Sequence, residues 1–174
     1  MNIPDTTAYL SNPQLELAFD FVQYTGQNLF LTGKAGTGKT TFLKNLKLQS
    51  PKRMVVVAPT GVAAINAGGV TIHSFFQLSF GPQIPQDPDK PQNSFNPGEG
   101  PAAGIKRFSR EKINIIRSLD LLVIDEISMV RADVLDAIDE VLRRFRNRYR
   151  PFGGVQLLMI GVDCQLKIAP PRQV

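Results

Sequence analysis

Spacing of apolar positions organises the chain from its start. Leu15, Ala18, Phe19 and Val22 stand at i, i+3, i+4 and i+7, with Asn12 placed to cap a helix, Pro13 in its first position and Gly26 expected to end it. Four short aliphatic runs follow at 28–32, 54–58, 120–124 and 155–160. They do not alternate with polar residues, which is the pattern of parallel strands covered on both faces. Between them, helical periodicity is expected over 39–48, 62–67, 73–78, 109–119 and 131–148. The last of these puts Leu135, Ile138, Leu142 and Phe145 on one face. The fold class this predicts is α/β, a mostly parallel sheet with helices on both faces.

Between 81 and 104 the pattern breaks: six of the 13 prolines and four of the 14 glycines fall there, so neither helix nor strand can persist. A loop of that length is either functional or disordered. No internal repeat is found. The 174 residues accommodate one compact core with insertions, not two.

One cysteine, Cys164, and one histidine, His73, exclude a disulfide framework, a Cys/His zinc site and any two-histidine mechanism. No apolar run reaches the ~20 residues of a membrane span, and the first residues lack the order of a signal peptide. The expected setting is therefore intracellular, with no membrane partner: cytoplasmic in a bacterium, nuclear or mitochondrial in a eukaryote.

The net charge of +5 equals the five arginines of 143–150 (RRFRNRYR). Such a cluster suits phosphate backbones. It also suits a helix in which Asp133, Asp136, Asp139 and Glu140 come first and the bases last, giving i,i+4 pairs Asp139/Arg143 and Glu140/Arg144.

Chemistry concentrates in Gly33-Lys34-Ala35-Gly36-Thr37-Gly38-Lys39-Thr40, which fits G-x-x-x-x-G-K-[ST] between an expected strand and an expected helix. Glycines let successive N–H groups turn toward phosphates, Lys39 supplies a point charge, Thr40 offers a hydroxyl to Mg²⁺, and the helix start adds its positive end. The expected nucleotide contacts are Gly33, Ala35, Gly36, Thr37, Gly38, Lys39, Thr40 and Thr41.

At 121–126 the sequence LLVIDE sets Asp125 and Glu126 at the C-terminal end of a buried strand, where ligands bind in open α/β sheets. Asp125 would join Thr40 in the Mg²⁺ shell and Glu126 would orient or deprotonate the attacking water. An isolated Asp-Glu is also a common helix start; the upstream glycine loop favours the catalytic reading. The guanine-reading Asn-Lys-x-Asp pattern is absent, so ATP is expected. Gln14 is placed either to read the adenine edge or simply to be solvated in a first helical turn.

Taken together, the segments 33–40, 58–64 (APTGVAA), 71–75 (TIHSF) and 121–129, with the stretch from Asp133 to Gln156 ending RPFGGVQ, resemble the first motor domain of PIF-type DNA helicases of the RecD-like branch of superfamily one. The resemblance covers nearly all of 10–161. It implies a RecA-like P-loop ATPase domain over 1–161, part of a 5′-to-3′ motor that tracks single-stranded DNA and unwinds duplexes and forks. It also implies DNA contacts at Pro59, Thr60, Gly61, His73, Ser74 and Phe75, the last as a stacking face. On spacing alone, His73 and Phe75 read equally as a helix start and a core ring. Roles in repair, recombination and telomere maintenance come with the resemblance alone, as does the placing of 81–104 where relatives insert a wedge.

Past Gly161 the chain departs from that family. Where the family has Gly-Asp-x-x-Gln-Leu, this sequence reads Gly161-Val162-Asp163-Cys164-Gln165-Leu166, with prolines only at 170 and 171. Gln165 keeps its spacing as the residue expected to couple to the γ-phosphate, but the aspartate is displaced by one. The segment 162–174 is therefore expected to be an altered, truncated tail, and the second motor domain that the resemblance implies would complete the site is expected to be missing. The main expectation is an ATP-dependent helicase core, weakly active alone. The alternatives are a non-catalytic nucleotide-gated nucleic-acid-binding module and an inactive fragment.

Overall fold

In a computed structural model of the chain, residues 12–34, 36–79, 81 and 108–162 are described. Ala35, most of the 81–104 loop, and Gln165 with the rest of the tail beyond Val162 lie outside them. The helix α1 spans Pro13–Tyr24 and is capped by Asn12, whose Oδ1 accepts the Gln14 N–H at 3.0 Å. It ends at Thr25, not at Gly26: the Thr25 N–H and hydroxyl both donate to the Phe21 carbonyl, so the stop needs no glycine.

After α1 come β1 (Leu29–Thr32), α2 (Lys39–Gln49), β2 (Met54–Ala58), α3 (Gly61–Asn66), β3 (Val70–Thr71), α4 (Ile72–Phe76), α5 (Arg110–Ser118), β4 (Leu121–Ile124), α6 (Ala132–Phe145) and β5 (Gln156–Gly161). The strands form one sheet in the order β1-β5-β4-β2-β3, and every pairing is parallel. Two residues of β3 pair with β2, too short a run for any apolar pattern to announce.

At the centre, β4 shows why these strands do not alternate. Leu121 and Val123 pack with α1 and α2, whereas Leu122 and Ile124 pack with α4, α5 and α6, and all four are fully buried. Each face of a doubly covered strand demands an apolar side chain. The edge strand β1 departs from the expectation of cover on both faces: Leu29 and Leu31 pack against the α1/α2 layer, but Phe30 is 56% exposed.

The helix expected over 131–148 stops at Phe145, and the arginine run splits accordingly. Arg143 pairs with Asp139 at 2.9 Å as expected, while Arg144 lies over the Phe145 ring. Arg146, already beyond the helix, donates to the Ile116 and Arg117 carbonyls at the end of α5 and to the Gly153 carbonyl. The terminating turn at 151–154 puts Phe152 and Gly153 at φ +51° and +61°. There the Phe152 N–H donates to Asp139. A Cβ on Gly153 would sit 2.5 Å from the Leu142 carbonyl oxygen, so the glycine is required by close approach as well as by φ. The segment that ends the family resemblance is thus a packed corner between α6 and β5.

Candidate nucleotide site

Because all five strands are parallel, the glycine loop after β1, the Pro59–Gly61 turn after β2, α4 after β3 and Asp125-Glu126 after β4 all emerge at one end of the sheet. Sequence-distant candidates are thereby gathered where open α/β sheets bind ligands.

Within the loop, Gly36 and Gly38 take φ of +81° and +87°, left-handed values that glycine adopts without strain. Gly33 is constrained differently: a Cβ there would lie 2.8 Å from Thr37 Oγ1. The Lys39 ammonium folds back onto the loop, donating to the Gly33 carbonyl at 2.6 Å and the Lys34 carbonyl at 2.8 Å. Thr37 closes the turn by donating its hydroxyl to Lys34 O at 2.9 Å. Helix α2 begins at Gly38 with no side-chain cap and no acidic residue in its first turn. Its leading N–H groups and dipole therefore suit an anion. Thr40 is exposed at that same start, and Thr41 is half-buried behind it.

Asp125 ends β4, its N–H donating to Val57 O at 2.9 Å and its Oδ1 accepting the Glu126 N–H at 3.0 Å. Burial raises its pKa above the usual aspartate value, against the opposing pull of the Glu126 N–H and the Lys39 charge. That Lys39 is felt at Asp125 ties the loop and the β4 end into one electrostatic site. Glu126 sits at φ +53°, ψ +44°, a left-handed conformation that is strained for a residue with a Cβ. No local pattern announces this conformation, which turns Glu126 out of line with β4.

A hydroxyl at Thr40 and a carboxylate at Asp125 are oxygen donors of the kind Mg²⁺ takes. Among the described residues no group of three or more His, Cys, Asp or Glu side chains stands ready as a metal cage. That fits an ion held by one or two protein oxygens together with substrate phosphates.

Gln14 is exposed in the first turn of α1, next to Leu15, whose Cδ1 lies 3.5 Å from where a Cβ on Gly38 would be. The start of α1 thus packs on the glycine loop. Of the expected DNA contacts, Gly61 is exposed with open space around it, Ser74 is exposed, and Pro59, Thr60 and His73 are half-buried. Thr60 caps α3, its Oγ1 accepting the Ala63 N–H at 3.2 Å.

Phe75 corrects the expectation of a stacking face. It is 5% exposed, packs edge-on to Phe76 at 4.9 Å, and carries the Lys112 ammonium 4.5 Å from its centroid. The ring anchors α4 in the core, so the core-ring alternative holds.

Sequence reasoning also missed Lys47. From α2 it donates to Ala67 O and Gly68 O, both at 2.7 Å, tying the helix of the glycine loop to the end of α3. No local pattern marks a lysine whose partners lie 20 residues away.

Comparison with known proteins agrees with this geometry. A family model described as PIF1-like helicase matches residues 14–170. The ATP-dependent DNA helicase PIF1 of Emericella nidulans is 38% identical over 156 residues, and that of Homo sapiens 36% identical over 167; the matches cover 83% and 95% of this chain but only 18% and 23% of those proteins. Among solved structures, Bacteroides Pif1 bound to ssDNA superposes with a TM-score of 0.72 at 45% identity, and Bacteroides Pif1 with ADP-AlF4 with 0.72 at 46%. Each covers 87% of this chain and 32% of the solved one. The chain therefore spans about a third or less of the proteins it resembles. With the glycine loop, the Asp125-Glu126 strand end and the all-parallel sheet in place, the chain belongs to the PIF1-like helicase family.

Proposed function

We propose that this chain is the nucleotide-binding motor core of an ATP-dependent 5′-to-3′ DNA helicase. The observation that carries the reading is the convergence at one sheet end of an uncapped helix start, a lysine parked on its own loop carbonyls, and a partly buried carboxylate that feels that lysine. Lys39 exchanges two carbonyl acceptors for phosphate oxygens, and the α2 N–H groups take the remaining phosphate charge. Thr40 and Asp125 would hold Mg²⁺, which supplies charge neutralisation at the phosphates when bound. Glu126, turned aside by its left-handed backbone, orients and deprotonates the attacking water. Gln14 reads the base from the start of α1, and Gln165 is the proposed sensor of the γ-phosphate.

Pro59, Thr60, Gly61, His73 and Ser74 form the proposed contact to single-stranded DNA at the same end of the sheet, through hydroxyl and backbone groups. Phe75 serves it indirectly by fixing α4. Solved Pif1 structures include one bound to ssDNA and one bearing on unwinding at forked dsDNA, which supports DNA as the partner. A second motor domain, present in the family at large, would complete the site with arginines worth about 10³–10⁵ in rate in related phosphoryl-transfer systems. The apolar residues left open at Phe30, Val62, Ile65 and Met129 support such a partner surface.

Steady-state ATP hydrolysis with and without oligo-dT, with Glu126→Gln as control, tests the reading. Slow turnover that rises with DNA and disappears in the control is the expected result. Turnover that survives Glu126→Gln, or a folded protein that fails to bind MgATP, would overturn it.

A further inference from the structure

At the end of the sheet opposite the nucleotide site, Lys52 reaches under α1. Its ammonium donates to the Val22 carbonyl, to the Thr25 carbonyl at 2.7 Å and to Gln156 Oε1 at 2.6 Å. Gln156 is 3% exposed, the first residue of β5, and its Nε2 donates onward to the Gln27 carbonyl at 2.7 Å. Helix α1 has no basic residue in its own last turn, so Lys52 supplies from outside the cation that the helix C-terminus favours. The three acceptors include no carboxylate, and burial lowers the lysine pKa from its usual value, against the pull of Asp120. A lysine held this way has three donors and three oxygen partners in fixed positions, which is a clamp and not a solvated cation.

The other end of α1 bears on the nucleotide. Twelve residues make a rod of about 18 Å, and its first turn sets Leu15 against the Gly38 position and carries Gln14 beside it. Val22, Ala18 and Leu15 bury one face against the sheet, which fixes the roll of the rod. The clamp fixes its position along the axis. We propose that Lys52 and Gln156 are positioning residues for nucleotide recognition: by pinning the C-terminal end of α1 to β5, they hold Gln14 and Leu15 at the glycine loop, in register with the base. The inference rests on the reading of Gln14 as the adenine contact and adds what holds that contact in place. It also gives the buried glutamine at the end of the family signature a task beyond packing.

Two probes separate the base from the phosphates: ATP, and inorganic tripolyphosphate, which engages the glycine loop without a base. Binding of each, with Mg²⁺, is measured by calorimetry on the 174-residue chain. Lys52→Met is expected to weaken ATP about tenfold, the equivalent of one strong hydrogen bond, and to leave tripolyphosphate unchanged. Lys52→Arg, which keeps the charge and the donors, should restore most of the loss. Gln156→Leu leaves Lys52 on the α1 carbonyls but cuts the link to β5, and should show the same selective loss at a smaller size.

Equal loss for both probes, no loss for either, or failure of both variants to fold would make the clamp a stability element and overturn the proposal. Gln14→Ala reports on the adenine reading separately. If it leaves ATP affinity intact while Lys52→Met still weakens ATP alone, the clamp stands and the role of Gln14 falls; the reverse pattern removes the clamp.

Discussion

The two ends of the sheet are built on opposite rules. At the N-terminal end of the strands, polar groups are spent on one another: Arg53 grips Asp120 through two side-chain bonds of 2.8 and 2.9 Å and its own N–H, Lys52 is enclosed by oxygens, and Arg146 closes the end of α5. At the C-terminal end, the side chains of the site bond to neighbouring backbone groups instead: Lys39 to the Gly33 and Lys34 carbonyls and Asp125 to the Glu126 N–H. The start of α2 is uncapped, Glu126 is strained, and burial raises the Asp125 pKa above the usual aspartate value. One sheet is thus anchored at one end by side chains that bridge distant elements, while the other end keeps local partners and an uncapped helix start, because a ligand-binding end must keep hydrogen-bonding capacity for something the fold does not contain.

Substitutions that act on only one edge break this comparison most directly. Lys39→Ala should lower MgATP affinity about 10- to 100-fold, as expected for losing a charge-assisted bond to phosphate, while the melting temperature moves by no more than about 2 °C. A parallel fall in stability would mean that the loop is part of the anchoring after all. At the other edge, Gly153→Ala should cost about 2–4 kcal/mol, since the new Cβ meets the Leu142 carbonyl oxygen in a left-handed backbone. Urea unfolding measures it, and ATP affinity measured below the transition should be unaffected.

The finest test is Asp125→Asn. Because the folded state raises the Asp125 pKa, it binds the proton more tightly than the unfolded chain, so stability falls as pH rises from the usual aspartate value through the raised one. Burial of the charged form of this carboxylate therefore opposes folding. The asparagine variant should melt higher at neutral pH, lose that advantage below the usual aspartate range, and lose Mg²⁺-dependent nucleotide binding. A variant less stable at pH 7 would show that Asp125 belongs with the anchoring groups.

Much of the layout was legible because it depends on local rules. Leu121 to Ile124 read as a doubly covered strand, and they are one; Asn12 and Pro13 marked the start of α1 by side-chain capping and fixed φ. The glycine loop and Asp125-Glu126 were legible because phosphate and metal chemistry tolerates few residue types at fixed spacing. Phe75 was ambiguous for a physical reason. An aromatic in a short helix has the same local pattern whether its ring stacks on a base or fills a core, and only its contacts with Phe76 and Lys112 decide. Likewise the helix end at Phe145 was hidden, since Asn147 and the arginines are all acceptable in a helix. It is the Gly153 corner, packed under Leu142, that turns the chain there.

The class of fold and the order of most of its elements follow from periodicity, and the glycine loop and Asp125-Glu126 follow from short motifs, so all of these are written in the linear order of residues. The three-dimensional arrangement alone makes β1 an edge strand with Phe30 open, strains Glu126, and brings Lys52 and Gln156, 104 residues apart, together under the end of α1. Those features arise from strand order and from long side chains finding distant carbonyls, and a linear pattern of hydrophobic and polar positions carries neither.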